Sequence, residues 1–103
     1  MSDYELIKLA IQNKSCITCT YNGHIRKMTP HVIGNKNGIE KALFYQYDGE
    51  SSEGLSKNPV KNWRCFVIAK IEDLKLNEDA FQTANNHSRK QNCVDEIDLE
   101  IDY

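Results

Sequence analysis

Two basic residues flank the longest apolar run of this 103-residue chain, and they are the first candidates for binding chemistry. Arg64 and Lys70 stand at the two ends of the run, where alternation places them on the strand face of Phe66 and Ile68. Two cations at the rims of a small sheet would suit a phosphate or carboxylate ligand. The alternative is that both are solvated strand ends. The sequence leaves both interpretations open.

Four cysteines raise the questions of metal binding and disulfide formation. Cys16 and Cys19 form a C-x-x-C pair, but this spacing on a predicted strand points the two side chains to opposite faces. That geometry is poor for chelating one zinc ion or closing a disulfide. Cys65 falls within a predicted strand and Cys93 in a polar segment, and no second close pair of ligands accompanies them. We therefore expect no metal site and four buried, reduced thiols.

The chain shows no residue pattern of a known catalytic class. It has no nucleophile elbow with a Ser/His/Asp order, no phosphate-cradling loop and no pair of carboxylates in an apolar setting. A Cys–His pair made by Cys65 or Cys19 with His31 would need a thiolate with a depressed pKa. The sequence therefore predicts a protein that is not an enzyme and carries no cofactor.

Composition bounds the class of protein. The length fits one domain, 1–103, and the contents of 40% hydrophobic and 27% charged residues are ordinary for a soluble globular protein. No apolar run approaches the roughly 20 residues of a membrane-spanning helix, and the N-terminus carries acids where a secretory signal carries bases. We expect a cytoplasmic protein without membrane contact.

The net charge of −2 hides an asymmetry, because five acids and no base follow Val94. A mildly basic body could bind an anion or attract this acidic end. The other interpretation is a polar strand face that happens to be acidic. Alternation of apolar and acidic residues predicts that the end is a strand over about 96–103 with its acids outward.

The elements that would position the candidates begin with a helix over about residues 3–13. Ser2 and Glu5 form a capping box at its start. The apolar residues that follow gather on one side of the helix, which we expect to pack on a sheet. These residues are Tyr4, Leu6, Ile7, Ala10 and Ile11.

Strands are predicted over about 15–76. A first strand over 15–21 leads through Asn22-Gly23, a favoured hairpin turn, into a return strand that Pro30 interrupts. Proline cannot donate to the ladder, so it implies an edge position or a bend there. A second turn is predicted over 34–38.

The third predicted strand, over 40–48, carries Tyr45 and Tyr47 on one face. Stacked aromatic residues would suit a base-binding surface, and they equally suit plain core packing. The loop over 49–61 that follows is either a functional lid or a mobile connection. It leads to the run around Phe66, which is apolar on both faces and predicts a central strand. The polar stretch 77–92 is predicted as loop with Phe81 as an anchor.

The order of these pieces resembles the WYL domain family, especially its short, free-standing members. The matching features run from residues 9–11 through Ile17, Tyr21, Arg26 and 30–34, and on through 43–47 to 63–66 and 70–71. The resemblance implies an SH3-like (Sm-like) small antiparallel β-barrel, mostly β with an N-terminal helix. It also implies a role like that of ligand-sensing modules in bacterial transcription regulators and phage-defence proteins. In such modules Arg26 and Arg64 would line a basic pocket, and Lys70 stands where the family commonly has an arginine.

Two function hypotheses follow. The first is a non-catalytic regulatory module that binds a nucleotide, single-stranded nucleic acid or another anion. The second is a structural or interaction protein that oligomerises, or pairs with a partner, through exposed edge strands. In the first hypothesis three cations hold the anion, two tyrosines stack on it and a histidine adds a hydrogen bond: Arg26, Arg64, Lys70, Tyr45, Tyr47 and His31.

Overall fold

The computed structural model describes residues 1–49, 62–84 and 91–101, and within them it contains one helix and six strands. The prediction of a mostly β protein with an N-terminal helix is confirmed. The predicted loop over 49–61 lies outside the described residues except for Gly49. The elements are α1 (Asp3–Asn13), β1 (Ile17–Tyr21), β2 (His24–Lys36), β3 (Ile39–Gly49), β4 (Trp63–Val67), β5 (Glu72–Leu76) and β6 (Glu96–Glu100).

Helix α1 begins and ends as its sequence predicts. The Ser2 hydroxyl accepts a hydrogen bond from the Glu5 amide at 3.2 Å, which satisfies one of the free N–H groups of the first turn. Lys14 ends the helix in the left-handed conformation, with φ at 53°. The helix buries Ile7, Ala10 and Ile11, which lie against the sheet in the main core.

All strand pairs of the sheet are antiparallel, in the order β4-β3-β2-β1-β5, with β6 paired to β2 as well. We call the face that packs on α1 the helix-side face. Its core residues include Ile17, Met28, Phe44 and Phe66. Each fully buried side chain of this size contributes about 1.5–3 kcal/mol through removal of apolar surface from water.

The long strand β2 has different neighbours along its length. Its first part pairs with β1 as far as Met28, and its second part pairs with β6 from Val32 onward. Pro30 lies between these two ladders, so its missing N–H falls where neither β1 nor β6 pairs with β2. The register with β3 also shifts between Pro30 and Val32. Pro30 therefore lies at a local break in the ladder, and it does not end the strand.

One prediction about the sheet is not confirmed, and another is wrong. In the described residues the end strands β4 and β5 are not paired with each other, so the sheet does not close into the predicted barrel. Strand β4 lies at an end of the strand order and is not central. It stops at Val67, and Ile68–Lys70 forms a 3-10 turn. The run is apolar on both faces because each face packs against other residues. Phe66 enters the main core on one face, and Cys65 pairs with Leu43 on the other.

The C-terminal segment forms a strand over Glu96–Glu100 with its acids exposed, as predicted, and residues 102–103 of the prediction lie outside the described residues. Ile97 is 48% exposed, whereas Ile101 is buried in the main core. The exposed Asp98 accepts a hydrogen bond from the Tyr4 hydroxyl at 2.6 Å and lies 3.2 Å from Lys8 Nζ. These contacts join the N-terminal helix to β6.

The Tyr4–Asp98 contact gives the fold a defined pH dependence. Burial and the hydrogen bond to Asp98 raise the pKa of Tyr4 from 10.0 to about 12, and the bonds from Tyr4 and Lys8 lower the pKa of Asp98. The contribution of Tyr4 is therefore complete below pH 10.0 and is lost as pH rises to about 12. The contribution of Asp98 is present above its unfolded pKa and is lost as pH falls through the lowered value.

We expect the stability difference between wild type and Tyr4→Phe to shrink as pH rises from about 10 to about 12. Denaturant unfolding of both proteins across this range measures it. The comparison cancels the alkaline titration of other groups, because the two proteins share them. A difference that stays constant with pH would show that the hydroxyl does not bind Asp98 in solution.

Candidate functional site

The most unusual polar group of the described residues is the side chain of Arg26, which is only 3% exposed. Its Nε and Nη2 donate to the carbonyl oxygen of Tyr21 at 3.3 and 3.2 Å, and its Nη1 donates to Gln46 Oε1 at 3.3 Å. None of these acceptors is charged. Among residues 1–49, 62–84 and 91–101, no carboxylate forms an ion pair with this buried cation.

Two aromatic rings, those of Tyr21 and Phe66, lie against the guanidinium of Arg26. The Tyr21 and Phe66 rings are stacked, with centroids 3.7 Å apart and planes inclined by 5°. The guanidinium carbon of Arg26 lies 5.0 Å from the centre of the Phe66 ring and 5.7 Å from that of Tyr21. A cation over a desolvated ring gains about 2 kcal/mol, which partly offsets the cost of burying the charge.

Arg64 lies on the same face of the sheet as Arg26. It pairs with Phe44 across the β3–β4 ladder and is two residues from Phe66, and directly paired or alternate strand residues share a face. Its side chain is half-buried, and Nη1 donates to the carbonyl oxygen of Trp63 at 3.1 Å. Burial and then the charge of Arg64 lower the pKa of Arg26. The structure therefore brings these two predicted site residues together.

Lys70 does not follow the strand alternation that was expected to place it beside Arg64. Strand β4 ends at Val67, and Lys70 is the exposed last residue of the 3-10 turn. A 3-10 turn has a period of three residues, so the two-residue alternation no longer determines its direction. The prediction that strand alternation places Lys70 on the face of Arg64 is therefore corrected, because the strand ends before Lys70.

The other three predicted site residues lie on the opposite face of the sheet. Tyr45 pairs with Trp63, the neighbour of Arg64, and Tyr47 follows on the same side of β3. The His31 ring meets the Trp63 ring edge-on, with centroids 4.7 Å apart. The six candidates therefore do not converge on one basic and aromatic pocket. The separation arises because neighbouring residues of a strand point to opposite faces.

Tyr47 and His31 both bind the segment 77–84. The Tyr47 hydroxyl donates to Asp79 Oδ2 at 2.6 Å and accepts from Asn77 Nδ2 at 3.2 Å. Burial, and then the bond to Asp79, raise the pKa of Tyr47. These contacts hold a chain segment on the sheet, which favours the packing interpretation of the aromatic residues.

His31 is held by two contacts of its ring. Nδ1 lies 2.8 Å from the carbonyl oxygen of Thr29, which can only accept, so Nδ1 carries a proton. Nε2 lies 3.0 Å from the Thr83 hydroxyl. The predicted anchor Phe81 is 36% exposed, and its ring centre lies 5.8 Å from that of His31. These interactions orient the histidine within the packing of this face.

The cysteines divide into two groups. Cys16 and Cys19 are free and buried, as predicted, and burial raises the pKa of Cys19 to about 11. The prediction of reduced, buried thiols is wrong for the other two, because Cys65 and Cys93 form a disulfide with Cα atoms 5.6 Å apart. Cys65 is exposed in β4. The spacing of 28 residues gave no signal of this contact, which depends on where the segment 91–95 crosses the sheet.

The geometry does not assemble the catalytic pair considered from the sequence. Cys65 is oxidised, and the pKa of Cys19 is raised, whereas a nucleophile needs a lowered one.

In the described part of the chain, no group of three or more potential ligands is placed to hold a metal ion. No helix there has the length and apolar character to cross a membrane.

The arginine environment was found only partly by sequence reasoning. Arg26 and Arg64 were predicted, but the contribution of Gln46 was missed. The burial of Gln46, at 0% exposure, follows from the register of β2 against β3. Comparison of the chain with protein-family models, with curated proteins and with solved structures found no match.

Proposed function

We propose that this protein is a non-catalytic, ligand-sensing module that binds a compact anion, such as a nucleotide phosphate or single-stranded nucleic acid, through Arg26 and Arg64. One observation carries the proposal. The buried guanidinium of Arg26 has only neutral acceptors among the described residues, and a second guanidinium lies on the same sheet face.

A bound anion would compensate the charges of Arg26 and Arg64. A buried charge without an opposite charge is costly, and a second cation nearby raises that cost. A bound phosphate would offset both effects, and the planar guanidinium can donate two parallel hydrogen bonds to it. Arg64 is the more exposed of the two, so it would meet the anion first, while the more deeply held Arg26 would fix its position.

The proposal differs from the sequence hypothesis in its aromatic residues. Tyr45, Tyr47 and His31 lie across the sheet from the arginines, so they are not assigned to the ligand. Likeness to WYL domains, an SH3-like architecture and a cytoplasmic location remain parts of the proposal. The capped N-terminal helix and the antiparallel sheet, in which the long strand β2 pairs first with β1 and then with β6, support the likeness to these domains.

Arg64→Gln tests the site, with Lys27→Gln as its matched control. Lys27 is one residue from Arg26 in β2 and therefore points to the opposite face, so its replacement removes the same charge without touching the site. In low salt we expect a nucleotide or a short single-stranded oligonucleotide at about 100 times its dissociation constant to stabilise wild type by about 2.7 kcal/mol. Arg64→Gln should weaken binding about tenfold, equivalent to about 1.4 kcal/mol.

Thermal unfolding with and without ligand measures these effects. Lys27→Gln should retain the affinity within about twofold, and added salt should weaken binding to wild type. The proposal fails if inorganic phosphate, nucleotides and oligonucleotides all leave the melting temperature of wild type unchanged. Equal losses of affinity in the two variants would also count against it, because they would indicate general charge attraction.

A further inference from the structure

A covalent bond joins the C-terminal segment to the far edge of the sheet. Cys65 is exposed on the end strand β4, and Cys93 is 5% exposed between Val32 and Val94 in a small second core. Only Val94 and Asp95 separate Cys93 from the first residue of β6. The disulfide therefore fixes the start of the segment whose next residues pair with β2.

The other attachments of this segment in the described residues include its ladder with β2, the packing of Leu99 and Ile101 on the main core, and a hydrogen bond from Lys36 Nζ to the Asn92 carbonyl at 2.6 Å. The Asp95 amide donates to the Asn35 carbonyl at 3.0 Å, and the Ile101 amide donates to the His31 carbonyl at 2.7 Å. Strand β6 pairs only with β2, its Ile97 side chain is 48% exposed, and its ties to α1 are surface contacts of Asp98. Exposed ion pairs contribute about 0–1 kcal/mol and the buried Ile101 side chain about 1.5–3 kcal/mol, whereas a disulfide typically contributes about 2–4 kcal/mol. The disulfide is therefore a large part of what holds this strand.

We propose that the Cys65–Cys93 disulfide is a redox-controlled latch, whose reduction by a thiol releases β6 from the second half of β2. The free edge of β2 over residues 32–35 would then be open to solvent. An exposed disulfide is the labile, regulatory kind in a reducing environment, and Cys65 is an exposed residue. The latch uses residues outside the arginine environment, so the result of its test does not depend on whether the protein binds an anion.

The chemistry is thiol–disulfide exchange. A thiolate of a dithiol reductant attacks Sγ of the exposed residue Cys65, forms a mixed disulfide there and releases Cys93 as a thiolate, which takes up a proton. The second thiol of the reductant then displaces Cys65, which also takes up a proton, and the reductant leaves as a cyclic disulfide. Two electrons and two protons pass to the protein. Cys16 and Cys19 have no disulfide to exchange.

The test follows cross-strand proton contacts by nuclear magnetic resonance in the full chain, oxidised and then treated with dithiothreitol. On reduction we expect loss of the contacts between β6 and β2, such as Ile33 with Leu99. The contacts between β1 and β2, such as Ile17 with Met28, should persist. Labelling with an alkylating agent confirms that Cys65 and Cys93 have become thiols.

Cys65→Ser serves as a permanently open latch. The substitution is at an exposed residue of the end strand β4, so the fold of the remaining sheet should tolerate it. It should lack the β6–β2 contacts without reductant and should not respond to dithiothreitol. The inference is overturned if the contacts of β6 persist in the reduced protein or in Cys65→Ser. It is also overturned if the β1–β2 contacts vanish together with them, since that would be general unfolding.

Discussion

Replacing Gly34 by alanine is expected to lower the free energy of unfolding by about 3 kcal/mol, at the upper end of the usual cost of overpacking. A Cβ atom at this position would overlap the carbonyl oxygen of Glu96, lie 2.7 Å from Val94 Cγ1 and lie 3.0 Å from the Asp98 amide nitrogen. Two of these three atoms belong to backbone and cannot rotate away. Strand β6 must therefore move off β2, or β2 must distort within its ladder to β3.

Gly38→Ala provides the control, because it carries the same added methyl group without the close approach. Gly38 has φ at +78°, and an added Cβ meets nothing within 4 Å. Its cost comes only from the left-handed backbone, about 1 kcal/mol. Urea unfolding of both variants measures the difference, and loss of contacts between β2 and β6 should accompany Gly34→Ala alone. Equal destabilisation of the two variants would contradict this close packing of β6 on β2.

These two glycines also show what the sequence could predict. The pattern of residues 34–38 predicts a turn, yet only Asn37 and Gly38 have positive φ, at 54° and 78°. Gly34 belongs to β2, where its missing side chain is needed for a strand from the distant C-terminus. A glycine that forms a turn and a glycine that leaves room for a neighbouring strand look the same in the sequence. The second role can be recognised only when the strand that lies opposite the glycine is known.

The parts of the fold that rest on local chemistry could be predicted. The Ser2 cap and the apolar side of α1 act within one helix, and the Asn22–Gly23 turn needs only residues that tolerate positive φ, here 53° and 76°. The position of β4 could not be predicted in this way, because an apolar run does not reveal how many neighbours it pairs with. The Cys65–Cys93 contact fails for the same reason, since it joins segments whose relative placement is set by the whole sheet.

For the candidate site too, the sequence predicts what depends on one strand and does not predict what depends on the register between strands. Alternation within one strand correctly placed Arg64 on the face of Phe66, and Tyr45 on the face of Tyr47. Whether these two faces are the same depends on the register of β3 against β4. That register pairs Arg64 with Phe44 and Trp63 with Tyr45, so the arginine and the tyrosines lie on opposite sides. Alternation was also extended to Lys70, beyond the residue at which the strand ends.

Phe66→Ala is expected to have the largest effect on stability, a loss of about 3–5 kcal/mol. The side chain is 5% exposed, it stacks on Tyr21, and its ring centre lies 5.6 Å from that of Phe44. Truncation opens a cavity beneath Arg26 and removes the ring over which the guanidinium lies. Phe81→Ala, at a side chain 36% exposed, should cost less than about 1 kcal/mol.

Phe66→Leu separates the role of the ring in the site from its role in the core. Leucine retains most of the buried apolar surface but has no π-face, so the fold should survive with a loss of about 1–2 kcal/mol. Because Arg26 then loses the ring that positions it, the stabilisation by an anionic ligand should fall in Phe66→Leu and stay unchanged in Phe81→Ala. Denaturant unfolding with and without phosphate or a nucleotide measures both quantities. An undiminished ligand effect in Phe66→Leu would mean that the ring supports the core alone, and that Arg26 is held by Tyr21 and Gln46 without it.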